Sequence, residues 1–103
     1  MTGDHGKPIL ILDGAMFEDL AGFAEEFSRL LDGHVWHGNL DAFNDILRGG
    51  FGTPEAGFVL RWLNSKVSEE RLGAALFQTL LEIIRTHGPG GGEAEDGVDL
   101  ELA

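Results

Sequence analysis

Two carboxylates, Asp41 and Asp45, stand four residues apart in the segment WHGNLDAFNDILRGG, which covers residues 36–50. Asn39 is a favoured helix N-cap and Gly49 a favoured residue just past a helix end, so the segment predicts a short helix between them. Residues four apart lie on the same side of a helix, so both carboxylates point the same way. Because like charges at this spacing oppose helix formation, the acidic side is a candidate surface for a cationic partner.

The remainder of this helix predicts how it packs. Four apolar residues recur at helical spacing and are expected to face a core: Leu40, Phe43, Ile46 and Leu47. Arg48 follows Asp45 by three residues and could offset its charge. The alternative to a binding surface is a solvated helix face without a partner, and the residues alone leave both interpretations open.

Composition limits the class of protein. The chain has 103 residues, enough for one compact domain, and its 43% apolar content favours a folded one. With 18 acidic and 7 basic residues the net charge is −11, which argues against a nucleic acid or an anionic membrane as a direct partner. A basic protein is the natural complement, although the charge could serve solubility alone. We expect a single domain over residues 1–103, with a flexible tail at 1–7 and a flexible glycine-rich acidic loop at 88–97.

Several features bear on the compartment. The chain has no cysteine, which fits a reducing cytosol. Residues 1–6 are polar and predict no signal peptide, and the apolar run at residues 9–12 is too short to span a bilayer. We therefore expect a cytoplasmic location.

Three segments carry strand patterns. Residues 8–12 form a continuous apolar run, typical of a strand with neighbours on both faces. Residues 58–62 predict a second strand, and the strict alternation of residues 98–102 predicts a half-buried strand at a sheet edge. The long helical segments between the strands favour parallel pairing with right-handed crossovers, hence an α/β fold.

Helical periodicity predicts the crossovers. The first helix is expected over about residues 17–31, followed by the acidic helix. After the second strand, residues 63–67 predict a short helical turn. Ser68 is then expected to cap a long helix that ends near His87.

The loop before the acidic helix contains an exposed-looking tryptophan and two histidines. Trp36 could cover the edge of the core or contact a partner, and His37 could hydrogen-bond a partner or have no such role. His34 and His37 do not predict zinc, since such sites need three or four ligands in fixed geometry. We expect neither a metal nor another cofactor.

Little in the chain favours catalysis. No nucleophile–base pair with an orienting group can be drawn, since serines are few and cysteine is absent. The glycines between residues 49 and 57 are not followed by the Lys-Ser/Thr of a phosphate-binding loop. We therefore expect a protein that is not an enzyme.

The stretch GNLDAFND at residues 38–45, together with the order of the predicted elements over residues 9–102, resembles the barstar family of intracellular ribonuclease inhibitors. The resemblance implies a small three-stranded parallel sheet packed with about four helices. It also implies a cytoplasmic bacterial protein that is monomeric when free and blocks a basic extracellular or toxin ribonuclease, in the latter case as an immunity protein. In such inhibitors the carboxylates stand in for RNA phosphates.

Residue matching assigns roles within this resemblance. Asp45 is implied as the principal phosphate mimic, Asp41 as the partner of a further arginine or a main-chain amide, and Trp36 as a stacking residue. The partner-binding residues that the resemblance implies are Trp36, His37, Gly38, Asn39, Asp41, Asn44, Asp45, Phe51 and Glu82.

The chain also departs from the family pattern. The loop before the helix is one residue shorter, and Asn44 stands where barstar has a tryptophan. Phe51 or Gly50 replaces a second tryptophan, and Ile83 takes the place of Glu82 if the last helix is aligned on the glycine that follows it. A second hypothesis is therefore a barstar-like interaction module whose cationic partner is not a nuclease.

Overall fold

The structure, a computed structural model, describes residues 7–31, 33, 35–49, 52–54 and 57–103. Residues 1–6 of the predicted tail at 1–7, and His34, Gly50 and Phe51, lie outside the described residues. Three strands form one sheet in the order β1-β2-β3, both pairs parallel: β1 (Ile9–Asp13), β2 (Phe58–Leu63) and β3 (Val98–Leu102).

Four α-helices accompany the sheet in the described part of the chain: α1 (Leu20–Ser28), α2 (Leu40–Arg48), α3 (Ser65–Leu72) and α4 (Ala74–Thr86). Short 3-10 turns lie at Gly14–Met16 and Ala94–Asp96. The predicted α/β class with a small parallel sheet is confirmed. Each described helix is too short or too polar to cross a bilayer.

The sheet is covered on one face, and this corrects the prediction for β1. Ile9 and Ile11 are 48% and 43% exposed, whereas Leu12, in the same strand, is fully buried. Arg61, which is in register with Ile11, is half-buried, and Glu101, which is in register with Arg61, is exposed. A continuous apolar run does not show whether a strand is covered on one face or on both, because the covering elements are distant in sequence.

Two helix predictions are wrong in their boundaries. The first helix begins at Leu20, because the Asp19 side chain accepts a bond from the Gly22 amide and caps the helix there. The long helix predicted after Ser68 is two helices that are separated at Gly73, whose φ of 90° favours glycine. Ser68 is no N-cap but a buried residue of α3, which accepts a bond from Trp62 Nε1 at 2.9 Å and donates to the Gly14 carbonyl at 3.1 Å.

Aromatic rings fill the space between the sheet and the helices. Phe23 of α1 lies at the centre, with the ring of Trp62 5.3 Å away and those of Trp36 and Phe43 each 5.7 Å away. The rings of Trp36 and Phe43 stack at 4.7 Å. This cluster fixes the apolar side of α2 and so determines which side of the helix is presented to solvent.

Candidate functional site

The acidic helix is closed at both ends as its sequence predicts. Oδ1 of Asn39 accepts bonds from the amides of Asp41 and Ala42, at 2.8 and 3.1 Å. Gly49 follows the last turn with a φ of 107°. Phe43, Ile46 and Leu47 are buried, so the two aspartates remain on the exposed side.

A groove of about 350 Å³ separates α2 from α4 and the loop that follows α4. Its lining residues are Leu40, Asp41, Asn44, Thr79, Glu82, Ile83, Thr86 and Glu93. The groove therefore brings together three carboxylates from distant parts of the chain. Glu82 and Ile83, the two alternatives for the contact on the last helix, both line it, and Glu82 is the exposed one of the two.

Asp45 lies beside this groove and is paired within the protein. Nη1 of Arg48 donates to Oδ1 of Asp45 at 3.0 Å, and the side chain of Asp45 is still 57% exposed. The same guanidinium donates to both carboxylate oxygens of Glu93, from Nε at 2.7 Å and from Nη2 at 3.0 Å. These hydrogen bonds lower the pKa of Glu93 below its ordinary value and raise that of Arg48.

A buried histidine connects the acidic helix to the loop after α4. His87 is fully buried, with Nδ1 2.6 Å from Oδ2 of Asp96 and Nε2 2.6 Å from Oδ1 of Asn44. Both ring nitrogens of His87 are therefore in hydrogen-bond contact with side chains of other elements. The contact with Asn44 holds the middle of α2 against the end of α4.

The loop after α4, predicted to be flexible, is attached to the helix at several points. The Glu93 amide donates to the Thr86 carbonyl at 2.8 Å, and the Val98 amide donates to the His87 carbonyl at 2.9 Å. Ala94–Asp96 forms a 3-10 turn between them. Glu93 and Asp96 are therefore fixed members of this site, although the sequence marks them only as charged residues of a loop.

The ligand atoms of His87, Glu93 and Asp96 lie within 4.8 Å of one another, a separation compatible with a metal ion. Arg48 already occupies both oxygens of Glu93, and the short bond to Asp96 occupies Nδ1 of His87. A cation at this position would have to displace the guanidinium and break that bond. The cluster is better explained as a structural joint.

Trp36 is buried in the core and is not an exposed stacking residue. Its side chain is 3% exposed, its Nε1 donates to the Asn39 carbonyl at 2.8 Å, and its backbone amide donates to Ser28 Oγ at 2.7 Å. The expectation of an exposed aromatic is therefore wrong, and the alternative, a residue at the edge of the core, is correct. His37 is exposed, and Gly38 is half-buried with a φ of 96°. Both residues directly precede Asn39, the N-cap of α2.

The arrangement suits the binding of cations. Asp41, Asp45, Glu82 and Glu93 project from elements that are fixed by the aromatic core and by the His87 joint. Carboxylates on a rigid frame pair well with guanidinium groups, because little side-chain entropy is lost when the pairs form. Such an array can recognise a basic surface on another protein.

The fold and the site define a small α/β domain that presents a preassembled acidic helix. A family model described as "Barstar (barnase inhibitor)" matches residues 8–101 of the chain. The chain belongs to the barstar family, as the resemblance of residues 38–45 and the element order indicated. That family is one of inhibitors, not of enzymes, and its partner is a ribonuclease such as barnase. A search of curated proteins found no match to the chain.

Proposed function

We propose that this protein inhibits a basic ribonuclease by placing the acidic side of α2 in the enzyme's active site, with carboxylates in the positions of RNA phosphates. The observation that carries this proposal is the division of α2 into two sides. Phe43 and Ile46 fix one side in the core, and Asp41 and Asp45 stand on the exposed side. The family match supplies the class of partner.

The chemistry of a nuclease explains why such a helix fits. A ribonuclease stabilises an anionic transition state with cationic groups, so its empty cleft is strongly positive. Asp45, at the carboxyl half of α2, is the principal phosphate mimic in this proposal. Asp41 and Glu82, which line the same groove, hold a further cationic side chain of the enzyme.

The flanking residues take lesser roles. His37, Gly38 and Asn39 precede α2 and contact the rim of the enzyme cleft. Trp36 serves this surface indirectly, by fixing Phe43 and the start of α2 from within the core. In this proposal the protein acts in the cytoplasm as a monomer, against the host's own secreted ribonuclease or an incoming toxin.

One observation favours a second function. Asn44 stands where the resemblance to barstar would place a tryptophan, and its side chain is in contact with His87. The centre of the acidic surface is therefore polar, which would also suit a cationic partner that is not a nuclease. In that case the protein is an interaction module with the same acidic surface.

An inhibition assay with barnase tests the first function. Asp45→Ala is expected to weaken inhibition by roughly 100-fold or more, since the complex would then bury an unpaired cation of the enzyme. Glu95→Ala removes the same charge from the exposed 3-10 turn and serves as the matched control, with thermal melts to confirm folding. Equal small effects of the two substitutions would contradict the proposal. Capture of a non-nuclease from a lysate by the unmodified chain, lost with Asp45→Ala, would favour the second function.

A further inference from the structure

Arg48 places a positive charge within the acidic surface. Its guanidinium bridges Asp45, three residues earlier in α2, and Glu93, 45 residues later in the chain. Its three hydrogen bonds are 2.7 to 3.0 Å long. In the free protein, Asp45 is therefore already paired with the type of group that a ribonuclease would offer it.

The two ends of this bridge differ in strength. Glu93 accepts two parallel bonds from Arg48, which is the geometry that fits a guanidinium best. Asp45 accepts one bond and is more exposed, with 57% of its side chain accessible against 29% for Glu93. The bond to Asp45 is thus the end that a competing cation can break.

Glu93 is in turn fixed by the fold. Its amide is bonded to the Thr86 carbonyl at the end of α4, and the adjoining turn is held by the pairing of Asp96 with His87. Glu93 therefore keeps Arg48 within reach of Asp45 in the free protein. Without this carboxylate, the long side chain would extend into solvent at little cost.

We propose that Arg48 is an internal competitor for the cation that a partner brings to Asp45, and that Glu93 is the residue that holds this competitor in place. The proposal rests on the acidic surface of α2 being the binding surface. A partner must break the single bond between Arg48 and Asp45, and it then lies close to a retained positive charge. The surface consequently selects partners with a guanidinium group, which can offer Asp45 two bonds, over partners with a single lysine ammonium.

A matched pair of substitutions tests the competition. Arg48→Ala and Arg61→Ala each remove one positive charge, but Arg61 is bonded to Glu101 on the sheet, at 2.9 Å. Both therefore change the net charge equally, and only Arg48→Ala frees Asp45. We expect Arg48→Ala to lower the Kd for barnase at least about threefold relative to Arg61→Ala, and Arg48→Gln to act similarly. In an Asp45→Ala background this gain should disappear.

An octa-arginine peptide, measured beside barnase, separates this inference from the proposed function. Tighter binding of the peptide to Arg48→Ala than to Arg61→Ala, with no binding of barnase to any variant, would support the competitor role and count against ribonuclease inhibition. Equal affinity of the two variants for the peptide would overturn the competitor role even if barnase is inhibited. A gain that persists without Asp45 would also overturn it.

Discussion

Nε2 of His87 lies 2.6 Å from Oδ1 of Asn44, so the end of α4 is bonded directly to the middle of the acidic helix. His87 is fully buried, and its other nitrogen is bonded to Asp96. One imidazole therefore determines the distance between α2, α4 and the loop that carries Glu93. The groove between these elements depends on that joint.

Replacing His87, which forms this joint, should lower the stability of the folded protein. His87→Leu leaves the Asp96 carboxylate and the Asn44 amide without their partner, which is expected to reduce the free energy of unfolding by about 1 to 3 kcal/mol. Urea denaturation measures the change. His37→Leu, at an exposed loop position, is the control and should be nearly neutral. Equal stability of the two variants would show that the buried bonds contribute little.

Trp36 should behave as a core residue. Trp36→Ala removes a ring that stacks on Phe43 at 4.7 Å, and the free energy of unfolding is expected to fall by about 3 to 5 kcal/mol. At temperatures where the variant is folded, its affinity for barnase should change far less than with Asp45→Ala. The exposed neighbour Val35, replaced by alanine, provides the control for stability. A large loss of affinity with unchanged stability would instead indicate a direct contact.

Local signals in the sequence were sufficient to predict the acidic helix. The cap at Asn39, the glycine at residue 49 and the spacing of Phe43 and Ile46 each act within one or two turns, and all were predicted correctly. The parallel sheet followed from the length of the crossovers between apolar runs. The exposed face of β1 could not be predicted in this way, because it depends on where the helices pack, and none of those in the described residues covers that face.

The rest of the site depends on distant contacts. His87 meets Asn44 across 43 residues, and Arg48 meets Glu93 across 45. No spacing or periodicity in a single sequence reports such pairs. Trp36 was uncertain for the same reason, since its burial depends on rings contributed by α1 as well as by α2.

Stability should decline in acid through Glu26. This side chain is largely buried and accepts bonds from Arg29 at 2.8 Å and from the Asp13 amide at 3.1 Å. The hydrogen bond from Arg29 is the main cause that holds the pKa of Glu26 below its ordinary value of 4.5. The folded state therefore binds this proton less readily than the unfolded state does. The stabilising contribution of ionised Glu26 is present above its ordinary pKa and is lost as the pH falls through the lowered pKa of the folded state.

Urea denaturation between about pH 6 and about pH 3 measures this contribution. Glu26→Gln should lower the free energy of unfolding at the higher pH. It should also make the decline of that free energy toward the lower pH shallower. Glu25→Gln, at the exposed neighbouring position, should leave the shape of the profile unchanged. An identical decline in the unmodified chain and in Glu26→Gln would assign the acid sensitivity to other groups.

The net charge of −11 should accelerate capture of a basic partner. We expect the association rate with barnase to fall by about tenfold or more as the salt concentration rises from about 20 to about 500 mM, because salt screens the long-range attraction. The dissociation rate should change far less, since it reflects close contacts. Stopped-flow fluorescence measures both, and an association rate independent of salt would contradict electrostatic capture.

In the proposed function, the acidic side of α2 enters the active site of a ribonuclease. The most direct measurement is an amide NMR footprint of the isotope-labelled chain with unlabelled barnase. We expect the largest shift changes within Leu40–Arg48 and around Glu82 and Glu93. A footprint confined to the exposed face of the sheet around Ile9 and Ile11, with α2 unchanged, would contradict it.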